Sequence, residues 1–146
     1  MLHATPGLMR ATTSRVESRL IPMPTVCIVD PRLEGFGLWR SASDEVRIHM
    51  ATTGRDALRL ANRVASDLWI VNCSLPDLSG TDLCQMLKSR DARSVVYLLA
   101  DEYSAEQEQA ARLAHANLFG VKPAHQQWLS DWLAHWRAHA PARRAG

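Results

Sequence analysis

Asp67-Leu-Trp-Ile-Val-Asn-Cys-Ser-Leu-Pro-Asp-Leu-Ser-Gly80 is the stretch on which the fold turns. Leu68 to Val71 is an unbroken apolar run of strand length closing on the polar Asn72, as a central strand covered on both faces requires. Leu75 to Gly80 carries the Pro and Gly of a loop, and Thr81 to Lys88 follows with Leu83, Met86 and Leu87 at inward helical positions.

The same alternation extends in both directions. Upstream, Thr25-Val-Cys-Ile-Val-Asp30 is a β-branched strand that begins after Pro22 and Pro24. Leu33 to Ala42 has helical spacing weakened by Gly35 and Gly37, each costing about 1 kcal/mol against Ala, so a short or irregular helix is expected. Val46 to Ala51 reads as a strand, and Thr53 to Ala61 starts a helix with Ala57, Leu58 and Ala61 on one face. Downstream, Ser94 to Ala100 is another buried strand. Ser104 caps a helix to about His115, with Gln107 placed to complete a capping box. Leu118 to Val121 is a short strand, and Ala124 to Ala138 the last helix. Strands each followed by a helix, joined by short links, demand a parallel sheet with right-handed crossovers. The expected fold is an α/β three-layer sandwich over residues 24–138, between a flexible leader (1–23) and a flexible basic tail (139–146). Its functional groups should gather at the carboxyl ends of the strands.

Composition excludes several classes. The 47% apolar and 22% charged residues are those of an ordinary globular protein. A net charge of +2 with scattered Arg offers no basic stripe for a phosphate backbone, so no nucleic acid is expected. Cys27, Cys73 and Cys84 have neither zinc spacing nor an even number for a disulfide framework, which suits a reducing cytoplasm. No apolar run suggests a membrane span or a secretory signal. The leader sets Arg10, Arg15 and Arg19 against Glu17 alone, a composition shared with transit peptides.

Ile28-Val-Asp30, Ala51-Thr-Thr-Gly54 with Ala57-Leu58, Asn72-Cys-Ser-Leu-Pro76 with Gly80, and Lys122-Pro123 recur in the order found in bacterial response-regulator receiver domains. No piece is specific alone; the ordered set over residues 25–137 resembles that family. The resemblance implies a five-stranded sheet of order 2-1-3-4-5, the flavodoxin-like receiver topology. It also implies a phosphoacceptor aspartate ending the third strand, where this chain has Asn72. A carboxylate oxygen attacks phosphorus; an amide, uncharged and with its lone pair delocalised, does not. The family's pair of acids ending the first strand is here Asp30 followed by Pro31, and one carboxylate is a poor magnesium site. Asp30 against Lys122 leaves zero charge, unless Asp101 folds inward and restores some. The responsive hydroxyl ending the fourth strand is replaced by Leu99, while Phe119 keeps the place of the rotating aromatic.

A degenerate receiver is therefore expected: no enzyme, no metal and no cofactor, acting by binding a histidine kinase, another response regulator or a second copy. The resemblance places that contact on the fourth helix (Ser104 to His115), the fifth strand and the last helix. Candidate residues are Trp128, Trp132, Trp136 and Arg112. With Leu129 and Leu133 the three indoles span an arc of ~140°, wider than the ~100° one packed face needs, so core and interface remain equal readings. Lys122 is read as a structural ion pair with Asp30, Cys73 as structural rather than redox-active, and His135 with His139 as solvent-exposed. Gly35-x-Gly37 lacks the remaining features of a dinucleotide loop. Two rivals stay open: phosphorylation at Ser74 or Asp77, and a small ligand in the crevice above the strand ends.

Overall fold

The structure is a computed structural model describing residues 23–36, 39 and 44–145. The strands are β1 (Thr25–Val29), β2 (Arg47–Ala51), β3 (Leu68–Asn72), β4 (Val96–Ala100) and β5 (Leu118–Val121). The α-helices of the described residues are α1 (Gly54–Arg63), α2 (Gly80–Arg90), α3 (Ala105–Leu113) and α4 (Gln126–Ala145). All strand pairs are parallel and the order is β2-β1-β3-β4-β5. This is the topology that the resemblance implies.

Chain contacts divide the protein into two units, Pro24–Ser130 with the sheet, and the terminal unit to which Asp131–Gly146 belongs. The proposed leader up to Pro22 lies outside the described residues, as does Gly37. Of the irregular helix expected over Leu33 to Ala42, the described part is a 3-10 turn at Glu34–Phe36 and a helical Trp39. Phe36 and Trp39 are buried edge to face, their rings 6.0 Å apart. The last helix continues to Ala145, past the Ala138 expected from sequence.

Each of the first three helices starts on a hydroxyl that satisfies an otherwise orphaned amide. Thr53 accepts from Asp56 N–H at 3.0 Å, Ser79 from Asp82 N–H at 3.1 Å, and Ser104 from Gln107 N–H at 3.3 Å. Successive strand residues alternate between the two sheet faces. Cys27, Val29, Trp69, Val71, Leu98 and Ala100 form one core with Ala57 and Leu60 of α1, Leu83, Cys84 and Leu87 of α2, and Ala111 of α3. Val26, Ile28, Leu68, Ile70 and Leu99 are buried on the other face. Met86, expected inward, is 45% exposed: Leu83, Cys84 and Leu87 define the buried stripe, and Met86 falls on its flank.

Gly80 brings α2 onto the end of β3. A Cβ there would lie 2.2 Å from Asn72 O and 2.8 Å from Cys73 Cα, both backbone, so only glycine permits the approach. The Gly80 N–H donates to Cys73 O at 2.8 Å. The loop that follows Asn72 is thereby tied down at its far end.

Candidate functional site

Four polar side chains converge at the carboxyl ends of the central strands. Asp30 follows β1, with its N–H donating to Ala51 O at 3.0 Å; Asn72 ends β3. Asp101 follows β4, and Lys122 follows β5 with its N–H on Ala100 O at 2.9 Å. Backbone pairing carried to the strand ends thus fixes where these side chains emerge.

Asn72 is the hub. Its Nδ2 donates to Asp30 Oδ2 at 3.1 Å and to Asp101 Oδ1 at 3.2 Å, while its Oδ1 accepts from Ser74 N–H at 2.8 Å. The reversed amide would face both carboxylates with an oxygen and Ser74 N–H with a donor, so the network admits one orientation. Lys122 Nζ pairs closely with Asp30 Oδ2 and lies 3.3 Å from Asp101 Oδ1. The other Asp30 oxygen accepts from Arg32 N–H at 2.8 Å. Asp30, 1% exposed, is thus a buried carboxylate paired with a cation and satisfied at both oxygens.

Asp101 does fold inward, settling the alternative that sequence left open. The cluster contains two carboxylates and one ammonium, with the carboxamide donating where a further cation would otherwise be needed. The magnesium site of working receivers does not fit these residues. Pro31 supplies no ligand, Asn72 turns its nitrogen toward the acids, and Asp30 has both oxygens engaged. Among the described residues no three His, Cys, Asp or Glu side chains group for metal binding. His135 and His139 stack with ring centroids 4.2 Å apart on the last helix.

One position expected from sequence is corrected. β4 ends at Ala100, the bound expected from sequence, so Leu99 stands one residue before its end, and strand parity puts Ala100 in the core against which Phe119 packs. Leu99 is on the opposite face, where it and Trp128 crowd the space a side chain on Gly120 would fill. The place of the responsive hydroxyl is therefore Ala100, which also lacks a hydrogen-bonding group. Phe119 is half-buried and meets Tyr103 edge-on, ring centroids 6.5 Å apart.

Of the residues expected on a partner face, Arg112 is exposed and reaches Glu108 at 3.2 Å, and Trp128 is half-buried. Trp132 and Trp136 are only 6% and 2% exposed. Cys73 is buried, and desolvation, followed by the charge of Asp101, pushes its thiol up to about 11, against the range of reactive thiolates. A cleft of about 260 Å³ opens at Asp30, Arg32, Asn72, Pro76 and Asp101. It is smaller than the ~300 Å³ lower bound of most ligand pockets, and its carboxylates are already engaged.

Sequence reasoning missed Asp77 as a structural clamp. Its Oδ1 accepts from Gly54 N–H at 2.8 Å and its Oδ2 from Arg55 N–H at 2.9 Å, joining the loop after β3 to the start of α1. The signal was a lone acid in a Pro/Gly loop, which alone does not say which amides it will meet.

An open parallel sheet with a polar cluster at its strand ends defines a flavodoxin-like α/β protein. Residues 26–134 match the response regulator receiver domain, and the chain belongs to that family. Solved structures agree on the fold. The CheY-like receiver domain protein from Methanospirillum hungatei JF-1 is 16% identical, with TM-score 0.73 over 84% of this chain and 99% of its own. The beryllofluoride-activated DrrB receiver domain is 23% identical, with TM-score 0.68 over 79% and 97%. The chemotaxis response regulator CheY4 of Vibrio cholerae is 23% identical, with TM-score 0.68 over 78% and 98%. No curated protein matches the sequence. No helix among the described residues is long and apolar enough to cross a membrane.

Proposed function

We propose that this receiver domain has lost phosphoryl acceptance and works as a phosphorylation-independent protein-interaction module in bacterial two-component signalling, without enzymatic activity. The observation that carries this reading is the Asn72 carboxamide donating to Asp30 and Asp101 at once. An acceptor needs a free carboxylate oxygen at that point, and here a nitrogen holds two acids together instead. The rival acceptor Asp77 is less suited, because both its oxygens take backbone N–H groups, and a Ser74 hydroxyl would need a base to activate it. Output then comes through binding of a histidine kinase, another response regulator or a second copy, not of nucleic acid. Intact-mass measurement after incubation with magnesium and acetyl phosphate tests the reading. No added phosphoryl mass is expected, and its appearance would overturn the proposal.

A further inference from the structure

The outer ridge of α1 carries Arg55, Arg59 and Arg63 at four-residue spacing, all exposed and on one stripe. A groove of about 720 Å³ borders this stripe, lined by Met50, Ala51 and Leu60 together with Arg59 and Arg63. Asp56, also at the groove, answers Arg59 at 3.6 Å in an exposed pair that screening weakens. Elsewhere in the same unit stands an element of opposite character. Tyr103 is 63% exposed, between the exposed acids Glu102 and Glu106. Its ring lies against Phe119 and its hydroxyl donates to Glu108 at 2.7 Å. Asp101, two residues earlier, is fastened to Asn72 and Lys122. The tyrosine is therefore held before any partner arrives, which lowers the ordering cost of binding.

We infer that the chain associates with itself head to tail, Tyr103 of one copy seating in the groove beside α1 of another, with Glu102 and Glu106 opposite Arg59 and Arg63. This inference rests on the reading of the domain as a docking module and names a second copy as partner. The charges are complementary on two different faces, so the contact is heterologous and extends beyond a dimer as concentration rises. A nucleic acid suits the groove less: its lining has no aromatic ring for base stacking, and Asp56 repels a phosphate backbone.

Sedimentation velocity of the full chain at rising concentration, at low and high salt, tests the inference. Wild type should associate reversibly and lose affinity at high salt. Two double variants, Arg59→Glu with Arg63→Glu and Glu102→Arg with Glu106→Arg, should each sediment as monomers with unchanged circular dichroism. Mixed together they should associate, because opposite charges face again. Tyr103→Ser should weaken wild-type association at least about tenfold. A monomeric wild type overturns the inference, as does a mixture that stays monomeric, or self-association that both double variants retain. None of these outcomes touches the mass measurement, so failure of self-docking is distinguishable from failure of the phosphorylation reading.

Discussion

The carboxamide nitrogen of Asn72 stands 3.1 Å from Asp30 Oδ2 at the mouth of the sheet, a donor facing an acid that is 1% exposed. Asn72→Asp would turn that donor into a third carboxylate, beside Asp30 and Asp101. Stability at neutral pH should fall by about 2–3 kcal/mol, the cost of unsatisfied and repelling buried groups. The new carboxyl would titrate above its ordinary value in the folded state, so the deficit should shrink as pH falls through that raised pKa. Urea denaturation at neutral and mildly acidic pH reads both effects, and a variant as stable as wild type would contradict the role given to the amide.

Lys122 provides the other half of the balance. Lys122→Met leaves Asp30 buried without its cation and should cost about 3–5 kcal/mol. Adding Asp30→Asn should recover part of that loss, because the charge needing a partner is gone. A double-mutant cycle by chemical denaturation measures the coupling. A coupling near zero would mean the buried pair contributes nothing specific to the fold.

The strands were legible because Val26–Val29, Leu68–Val71 and Val96–Ala100 are apolar runs whose ends locate themselves, and the first two locate Asp30 and Asn72 with them. The identity of apolar residues on both faces hides parity, however, so Leu99 and Ala100 could not be told apart until strand pairing placed them. Asp101 depends on a loop conformation that no periodicity encodes, yet it changes the charge of the site. The Trp stripe was undecided for another reason: an apolar arc wider than one packed face fits core and interface alike.

Asp77 should be structural. Arg55 N–H and then Gly54 N–H hold its carboxyl below the usual carboxylate range. Asp77→Ala should cost about 1 kcal/mol at neutral pH, as loss of a helix cap does. A depressed folded pKa means the contribution is present above the unfolded value and lost as pH falls through the folded one, so variant and wild type should converge in acid. Melting temperatures across that range decide it; a gap that widens in acid would refute the clamp.

The cysteines should be silent in the native state. Burial pushes Cys27 and Cys73 up to about 11, and raises Cys84 against the opposing charge of Lys88. At about pH 8 the thiolate fraction at Cys73 is then on the order of one in a thousand. Ellman's reagent should find no fast-reacting thiol in folded protein and all of Cys27, Cys73 and Cys84 after denaturation. A fast native thiol at Cys73 would revive a redox role.

His115 closes α3 with a positive φ of 62°, one residue beyond the C-cap Ala114, and its N–H donates to Arg112 O at 3.0 Å. That is the left-handed cap position where a Cβ is strained and glycine is not. His115→Gly relieves the strain but frees the unfolded chain, leaving a net gain of about 0.5 kcal/mol. His115→Val adds a branch at Cβ that the left-handed region disfavours, and should lose about 1 kcal/mol. Because the side chain is exposed, the order Gly above His above Val in melting temperature isolates the backbone term. Equal stability of all three would show that α3 ends without cost at this position.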